Sequence, residues 1–432
     1  MKIAILSSLA LTDSEGGTER VAHMQALGLA ALGHQVRLVT GRSAEFAGQP
    51  DQETSSDGLE QIALAASPEE AFQPDGRRPR LAQRIARDLR CFAPDAILVQ
   101  NTWNLDHRTT SRLQEIAPVA LCLHDFAGLC PRSFRTPPDC SITCPSALDL
   151  AWGDLQACAR CVAPLAHGIS EERLGGLLSN RLEVFLAEVV AAALILTPSR
   201  THLVRLGDLI PLGQKARILP PGLCMSFPGE APSPRVWSGR GPLRILHHGR
   251  RSVEKGTLDL VRALAMMPSG TVELIALGGA EEGLDQRLRA AAPEVPMTLG
   301  GPYDAAALEA AAVNAHLVAL PSRLPESYSL AVDEGLALGL SVWASSADAA
   351  QERHGADVVQ VLPAAEPAAW AASLQQVLDS PERLRAMASV VPESLPTVFE
   401  HAPRLADLLH EMVQLERSRR ANAATAQRKR AS

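Results

Sequence analysis

Short apolar and β-branched runs recur along the chain, and few of them alternate strictly with polar positions. In the first half they fall at 2–8, 35–40, 96–100, 119–125, 194–199 and 216–220. In the second half they fall at 244–249, 272–278, 297–300, 316–322, 341–346 and 358–362. Runs of this kind predict strands buried on both faces of a parallel sheet. The stretches between most pairs leave room for one crossover helix. The pattern breaks at 220–242, where five Pro between 220 and 235, together with Gly, predict a linker. The expected organisation is α/β, with two doubly wound Rossmann-like domains facing each other across a cleft. Residues 1–222 form the first domain, with a Cys-rich insertion at about 126–165. Residues 223–241 link it to a second domain at 242–400, and 401–432 form a terminal helix and basic tail. Ligands of such sheets bind at the carboxyl ends of the strands.

Bulk composition narrows the function. Hydrophobic residues make up 46% and charged residues 21% of the 432 positions, ordinary values for a soluble protein of two or three domains. A net charge of -7 argues against a general nucleic-acid binder. The start, Met1-Lys-Ile-Ala-Ile-Leu-Ser7, reads as a strand rather than a signal peptide. The longest apolar run, 189–196, is too short to span a bilayer, so a cytoplasmic enzyme is expected. The basic tail from 415 is expected to fray. A weaker reading gives it peripheral contact with anionic lipid at the inner face of the membrane. Lys occurs only at 2, 215, 255 and 429, so a Lys inside a polar motif carries weight.

Four places carry candidate chemistry. Glu326 and Glu334 lie on either side of a loop-to-helix transition that follows the apolar run 316–322. A strand, a polar loop and a helix N-terminus make a pocket for an anion with hydroxyls around it. Two acidic residues on a solvated helix are the bland alternative. Gly249-Arg-Arg-Ser-Val-Glu-Lys-Gly256 puts Arg250 and Lys255 on one loop after a strand. Arg can grip a phosphate through two donors and Lys supplies a compact charge, which a departing diphosphate needs. Gly16-Gly-Thr-Glu-Arg20 opens a helix after the first strand, where Gly16 and Gly17 let backbone approach a ligand; turn glycines are common enough that this signal is weak. His124 ends a strand in the first half, and a structural His there is as good a reading. No Asp-x-Asp motif occurs, so charge stabilisation falls to Arg250, Lys255 and helix N-termini, with no catalytic metal expected.

Six of the eight Cys lie between 122 and 161. Cys140, Cys144, Cys158 and Cys161 have the spacing of a structural four-thiolate zinc site, with Cys130 able to replace one ligand. Disulfides and free thiols are the alternatives, the former disfavoured in a cytosolic setting.

These pieces, in this order, resemble the retaining glycosyltransferases of family 4 (glycosyl transferases group 1), which have the GT-B fold. The matching residues are Gly16, Gly17 and Glu19, His124, Pro198-Ser-Arg200, Arg250 with Lys255-Gly256, Gly278, and Pro321-Ser322 leading into Glu326 and Glu334. The resemblance covers about residues 1–400. It implies a nucleotide-sugar donor, linked to UDP, GDP, ADP or dTDP, in the second domain and a hydroxyl acceptor in the first. The acceptor would be a saccharide, a lipid-linked saccharide or a natural product. Glu334 would bind the ribose. Glu326 and the backbone of Ser327, Tyr328, Ser329 and Leu330 would hold the donor sugar and distal phosphate, with Gly16, Gly17 and Gly278 also on the donor. Arg250 and Lys255 would stabilise the leaving diphosphate, and His124 would contact the donor sugar. Front-face attack would account for retention without a protein nucleophile. Two positions depart from the commonest family pattern. Glu326-Ser-Tyr-Ser329 replaces Glu-Gly-Phe-Gly, and Pro220-Pro-Gly-Leu-Cys224 replaces Pro-Asn-Gly-Val-Asp. Other GT-B enzymes, such as nucleotide-sugar epimerases or phosphorylases, are alternatives. So is a catalytically silent nucleotide-sugar-binding or scaffold protein.

Overall fold

The computed structural model describes residues 1–431 except 14–15, 57, 72–76, 102–104, 107, 138–141, 166–168 and 228–235. The chain divides into two compact units. Unit 1 comprises 1–221 and 398–432, and unit 2 comprises 222–397.

The sheet of unit 1 contains β1 (Lys2–Ser7), β2 (Gln35–Gly41), β3 (Gln52–Ser56), β4 (Leu59–Leu64), β5 (Ala96–Val99), β6 (Val119–Cys122), β7 (Leu194–Thr197) and β8 (Ala216–Ile218). Their order is β3-β4-β2-β1-β5-β6-β7-β8, all parallel except the β3–β4 pair. The missing alternation in the sequence has a direct cause. Ala4, Leu6, Ile97 and Val99 face one apolar core, while Ile3, Ile5, Ala96 and Leu98 face another on the opposite side. Strands buried on both faces have no polar face to show. Neither β3 nor β4 was foreseen: Gln52-Glu-Thr-Ser-Ser56 is polar throughout and sits at the sheet edge, where burial imposes no apolar pattern, and Leu59-Glu-Gln-Ile-Ala-Leu64 carries polar residues inside a short run.

The sheet of unit 2 contains β9 (Leu243–His248), β10 (Val272–Leu277), β11 (Met297–Leu299), β12 (Leu317–Leu320), β13 (Ser341–Ala344) and β14 (Val359–Val361). Its order, β11-β10-β9-β12-β13-β14, is that of a doubly wound dinucleotide-binding sheet, with the direction reversing between β9 and β12. These two strands are in register only at Leu317–Ile245 and Val318–Leu246. Beyond them the His247 side chain takes the place of a backbone rung: its Nδ1 donates to Ala319 O at 2.8 Å, and its Nε2 accepts from the Thr257 hydroxyl at 3.1 Å. Burial holds the His247 imidazole down to about 4, so it fills the crevice as a neutral group.

The unit boundary departs from the expected linker. Cys224 and Met225 are buried in unit 2, Leu223 bridges to Thr397, and Trp237 is buried in the core of unit 2. Much of the described part of 223–241 therefore packs as body of unit 2, and 228–235 lies outside the described residues. The chain then returns to unit 1. The helix Val398–Ala431 lays Leu405, Leu408, Leu409, Met412 and Val413 into the core that holds Ile3 and Ile5. It approaches the helix Gly17–Ala31 so closely that a Cβ at Gly28 would stand 2.9 Å from the Ala402 Cβ. The tail expected to fray instead continues this helix to Ala431, in keeping with its Ala, Arg, Gln and Glu content. No helix among the described residues is long and apolar enough to cross a membrane.

Candidate functional site

In unit 2 the predicted residues gather at the carboxyl ends of β9, β10 and β12. The loop 249–256 is pinned by two glycines. Gly256 has φ +73, and a Cβ there would lie 1.9 Å from Pro321 O. Gly278 has φ +124, and its Cβ would lie 2.1 Å from Gly249 O. Backbone therefore presses on backbone on both sides of the loop, which only Gly allows. Arg323 ties the same pieces together, pairing with Asp259 at 2.6 Å while its N–H donates to Glu254 O at 2.8 Å.

Glu326 and Lys255 meet in this frame. Lys255 Nζ donates to Glu326 Oε1 at 2.7 Å, the Ser322 hydroxyl donates to the same oxygen at 2.7 Å, and Glu326 N–H donates to the Ser346 hydroxyl at 2.9 Å. Burial works to raise the Glu326 carboxyl, but Lys255 and Ser322 outweigh it and hold it below the usual carboxylate range. An ammonium has three donors, so Lys255 keeps others for a ligand. Arg250 is exposed and makes no ion pair among the described residues. Its neighbour Arg251 does the opposite. It is buried, pairs with Asp285 at 2.9 Å, and donates to Gly278 O at 2.6 Å and Gly300 O at 2.5 Å. Nothing in the adjacent pair of arginines told which would face out; Arg251 holds the ends of β10 and β11, and Arg250 is exposed.

The loop 326–329 runs into the helix Leu330–Ala337. Ser329, its N-cap, adopts φ +67, the left-handed conformation that the family's commoner Gly would adopt without cost. Val332 N–H donates to Ser329 O at 3.1 Å, and the first-turn N–H groups of a helix have no carbonyl partner within it. Tyr328 is buried, with the Arg353 guanidinium 3.5 Å from its ring centroid. Arg353 also donates to Tyr328 O at 3.0 Å and to Asp333 at 2.6 Å, and Asp333 bonds His354 at 2.9 Å. The Tyr328 ring and carbonyl, both held by Arg353, anchor the loop. Glu334 is 2% exposed, its Oε2 3.3 Å from His248 Nδ1, with the Tyr303 hydroxyl 3.3 Å from the same nitrogen. His248 and Tyr303 were not foreseen; no spacing rule brings residues from the ends of β9 and β11 to Glu334.

In unit 1, Gly16 is extended and Gly17 begins the helix Gly17–Ala31. Glu19, in its first turn, accepts from the Ser8 hydroxyl at the end of β1 at 2.8 Å. His124 follows β6 and is partly buried, with Nε2 2.5 Å from Gln100 Oε1. Desolvation lowers the His124 imidazole to about 4, and burial with repulsion from His124 lowers His202 to about 4. His202 is buried, with the Phe126 ring edge-on to it at 5.0 Å. Asp125 is pushed up to about 6 by burial, against the Ala127 N–H and Arg181.

Cys140 lies outside the described residues. The other four cysteines of the expected cluster share one region. Cys158 and Cys161 sit one turn apart on the helix Gln156–Val162, Arg132 donates to Cys161 O at 3.0 Å, and the Cys144 thiol donates to Arg135 O at 3.2 Å. Burial, then the neighbouring Cys130 and Cys144, push the Cys158 thiol up to about 12. Among the described residues no group of three or more His, Cys, Asp or Glu is placed to hold a metal ion.

Residues 16–173 match the family model of the glycosyl transferase 4-like domain. No curated protein matches the chain in sequence. Among solved structures, sucrose-phosphate synthase from Thermosynechococcus elongatus superposes with a TM-score of 0.65 at 19% identity, covering 98% of this chain and 100% of that one. Anabaena HepE in complex with UDP superposes with a TM-score of 0.56 at 18% identity, over 98% and 100%. WaaG, a glycosyltransferase involved in lipopolysaccharide biosynthesis, gives 0.57 at 17% identity, over 96% and 99%. At these identities the structures show the fold, which is GT-B. With the family domain in its first half, the chain is a glycosyltransferase of the GT-B type.

Proposed function

We propose that the protein is a retaining glycosyltransferase that moves a sugar from a nucleoside-diphosphate sugar to a hydroxyl acceptor without a catalytic metal. The observation that carries this reading is the Lys255–Glu326–Ser322 cluster at the switch point of unit 2, with Arg250 exposed on the same loop as Lys255. Lys255 and Arg250 neutralise the diphosphate as the bond from the sugar C1 to its oxygen breaks. Glu326 and the first-turn N–H groups at Leu330 hold the sugar hydroxyls and the distal phosphate. Glu334 accepts from the ribose. Gly278 lets the backbone approach the donor, and Gly16 and Gly17 do the same in unit 1. The acceptor oxygen bonds C1 on the face the diphosphate leaves, and a phosphate oxygen takes its proton. Anabaena HepE has been solved with UDP and with UDP-glucose, which supports UDP as the first donor base to test.

We place the reaction in the cytoplasm, with Arg417, Arg419 and Arg420 on the last helix as a surface for anionic lipid headgroups. The spacing of Cys140, Cys144, Cys158 and Cys161, with Cys130 as a substitute, suits a structural zinc, but the described thiols are not gathered to hold one, and zinc analysis of the purified protein separates a metal from free thiols. The function is tested by thermal shift with UDP, GDP, ADP and dTDP in the absence of metal, followed by turnover of the matching nucleotide sugars. One nucleotide should stabilise the protein through linkage. No stabilisation at millimolar concentration removes the donor site. Stabilisation without turnover on any acceptor class makes the protein a silent nucleotide-sugar binder.

A further inference from the structure

One buried amide, braced by a second, meets the histidine at the end of β6. Gln100 follows β5 directly, is wholly buried, and donates its backbone N–H to Leu6 O at 2.8 Å. Its Oε1 lies 2.5 Å from His124 Nε2, and its Nε2 donates to Gln25 Oε1 at 2.7 Å. Gln25, on the helix Gly17–Ala31, is 5% exposed. A primary amide has one accepting end and one donating end. With the donating end of Gln100 turned to Gln25, the end that meets the imidazole accepts. His124 Nε2 must then carry the proton, and in a neutral ring the lone pair sits on Nδ1. Among the described residues, the groups around the ring do not supply a charge partner. His202 is itself buried and held neutral, and Asp125 turns a carboxylate oxygen to Ala127 N–H at 2.7 Å.

We propose that Gln100, braced by Gln25, is a positioning residue that fixes His124 as the neutral Nε2–H tautomer and so makes Nδ1 a hydrogen-bond acceptor. An accepting nitrogen takes a hydroxyl and disfavours a carboxylate or a phosphate. Resting on the donor-sugar contact that the family resemblance implies for His124, this favours a sugar that presents a hydroxyl at that point over one that presents an acid.

The test is ¹⁵N-histidine NMR of the full-length protein at neutral pH, with the His124 signals assigned by their loss in His124→Gln. The expected result is a protonated Nε2 and a bare Nδ1. A protonated Nδ1 overturns the proposal on the unmodified protein alone, whatever the variants do. Gln100→Met should release the tautomer to a mixture, and Gln100→Glu should raise the pH at which His124 takes up its second proton. Unchanged His124 signals in both variants also overturn it. In turnover, Gln100→Met should lower kcat/KM on the order of tenfold through the hydroxyl-bearing donor, as loss of an orienting partner does elsewhere. A failure of the donor reading looks different: the tautomer stands as stated, but His124→Gln leaves donor turnover unchanged.

Discussion

The two units differ in the electrostatics at the carboxyl ends of similar parallel sheets. In unit 2 several buried carboxylates are held ionised by cations, while His247 stays neutral. Glu326 is kept low by Lys255 and Ser322, and Asp333 is kept low by His354 and Arg353 despite its burial. Asp259–Arg323 and Asp285–Arg251 are ion pairs. In unit 1 several buried groups are instead shifted toward their neutral forms, although Arg42 and Asp13 form a buried ion pair after β2 and β1. His124 and His202 are lowered to about 4, Asp125 is raised to about 6, and Glu188 is raised by burial against the Thr110 and Ser111 N–H groups. Paired, preorganised charge suits a diphosphate, whose own charge grows as it leaves. Neutral donors and acceptors suit the orientation of hydroxyls, where a fixed charge would have to be desolvated again with each ligand. The difference is one of partners rather than of fold, since both sheets reverse direction beside the strand that opens the unit.

The largest effect that would break this contrast is at Lys255. Lys255→Ala should lower kcat by about 10²–10³-fold, the scale seen for loss of one transition-state donor. The same change should leave the unit 1 strands equally protected in hydrogen exchange. A kcat within threefold of the parent would mean that the charge at unit 2 is structural only. Gly256→Ala comes next. Its Cβ has nowhere to go against Pro321 O, and φ +73 adds a left-handed penalty, so unit 2 should lose about 2 kcal/mol or more in denaturant unfolding.

Acid should sharpen the contrast more gently. A histidine lowered in the fold contributes stability that is present above its unfolded value near 6.5 and lost as pH falls toward about 4. Asp125, raised to about 6, works with the opposite sign: its contribution is present below the ordinary aspartate value and lost as pH rises through 6. In unit 1 the raised Asp125 and Glu188 offset His124 and His202. In unit 2 nothing among these buried groups offsets His247, and acid also removes the contributions of Glu326 and Asp333, whose low values are lost last. Between pH 7 and 4.5, hydrogen-exchange protection should therefore fall more steeply with pH in β9 and β12 than in β1 and β5. Asp125→Asn should steepen unit 1 toward unit 2, and equal slopes in the parent protein would contradict the assignment. The smallest effect is at Ser329. Ser329→Gly relieves φ +67 and should stabilise unit 2 by up to about 1 kcal/mol in thermal unfolding, with the loop's anchor at Tyr328 unchanged.

Much of unit 2's site could be read from residue order because its logic is local. A strand followed by Gly249-Arg-Arg-Ser-Val-Glu-Lys-Gly256, and another followed by a loop and a helix N-terminus, place Lys255 and Glu326 on neighbouring strand ends once the sheet is doubly wound. Unit 1's site was less legible because its contacts join distant elements. Gln25, Gln100 and His124 lie on a helix and after two strands, and none carries a charge or a spacing that marks it. The return of 398–431 to unit 1 was hidden for a similar reason. The helix pattern was visible, but which of two apolar cores it would cover was not.

Composition and periodicity alone determined most of the strands, the doubly wound class and the residue types available for binding an anion. Those follow from burial on both faces of a sheet, which acts on each segment separately. Tertiary structure decided which of two adjacent arginines is buried, which glycines carry backbone against backbone, and which nitrogen of His124 bears the proton. These depend on atoms brought together from far along the chain, and a hydrogen bond or a steric contact acts only between groups that have already met.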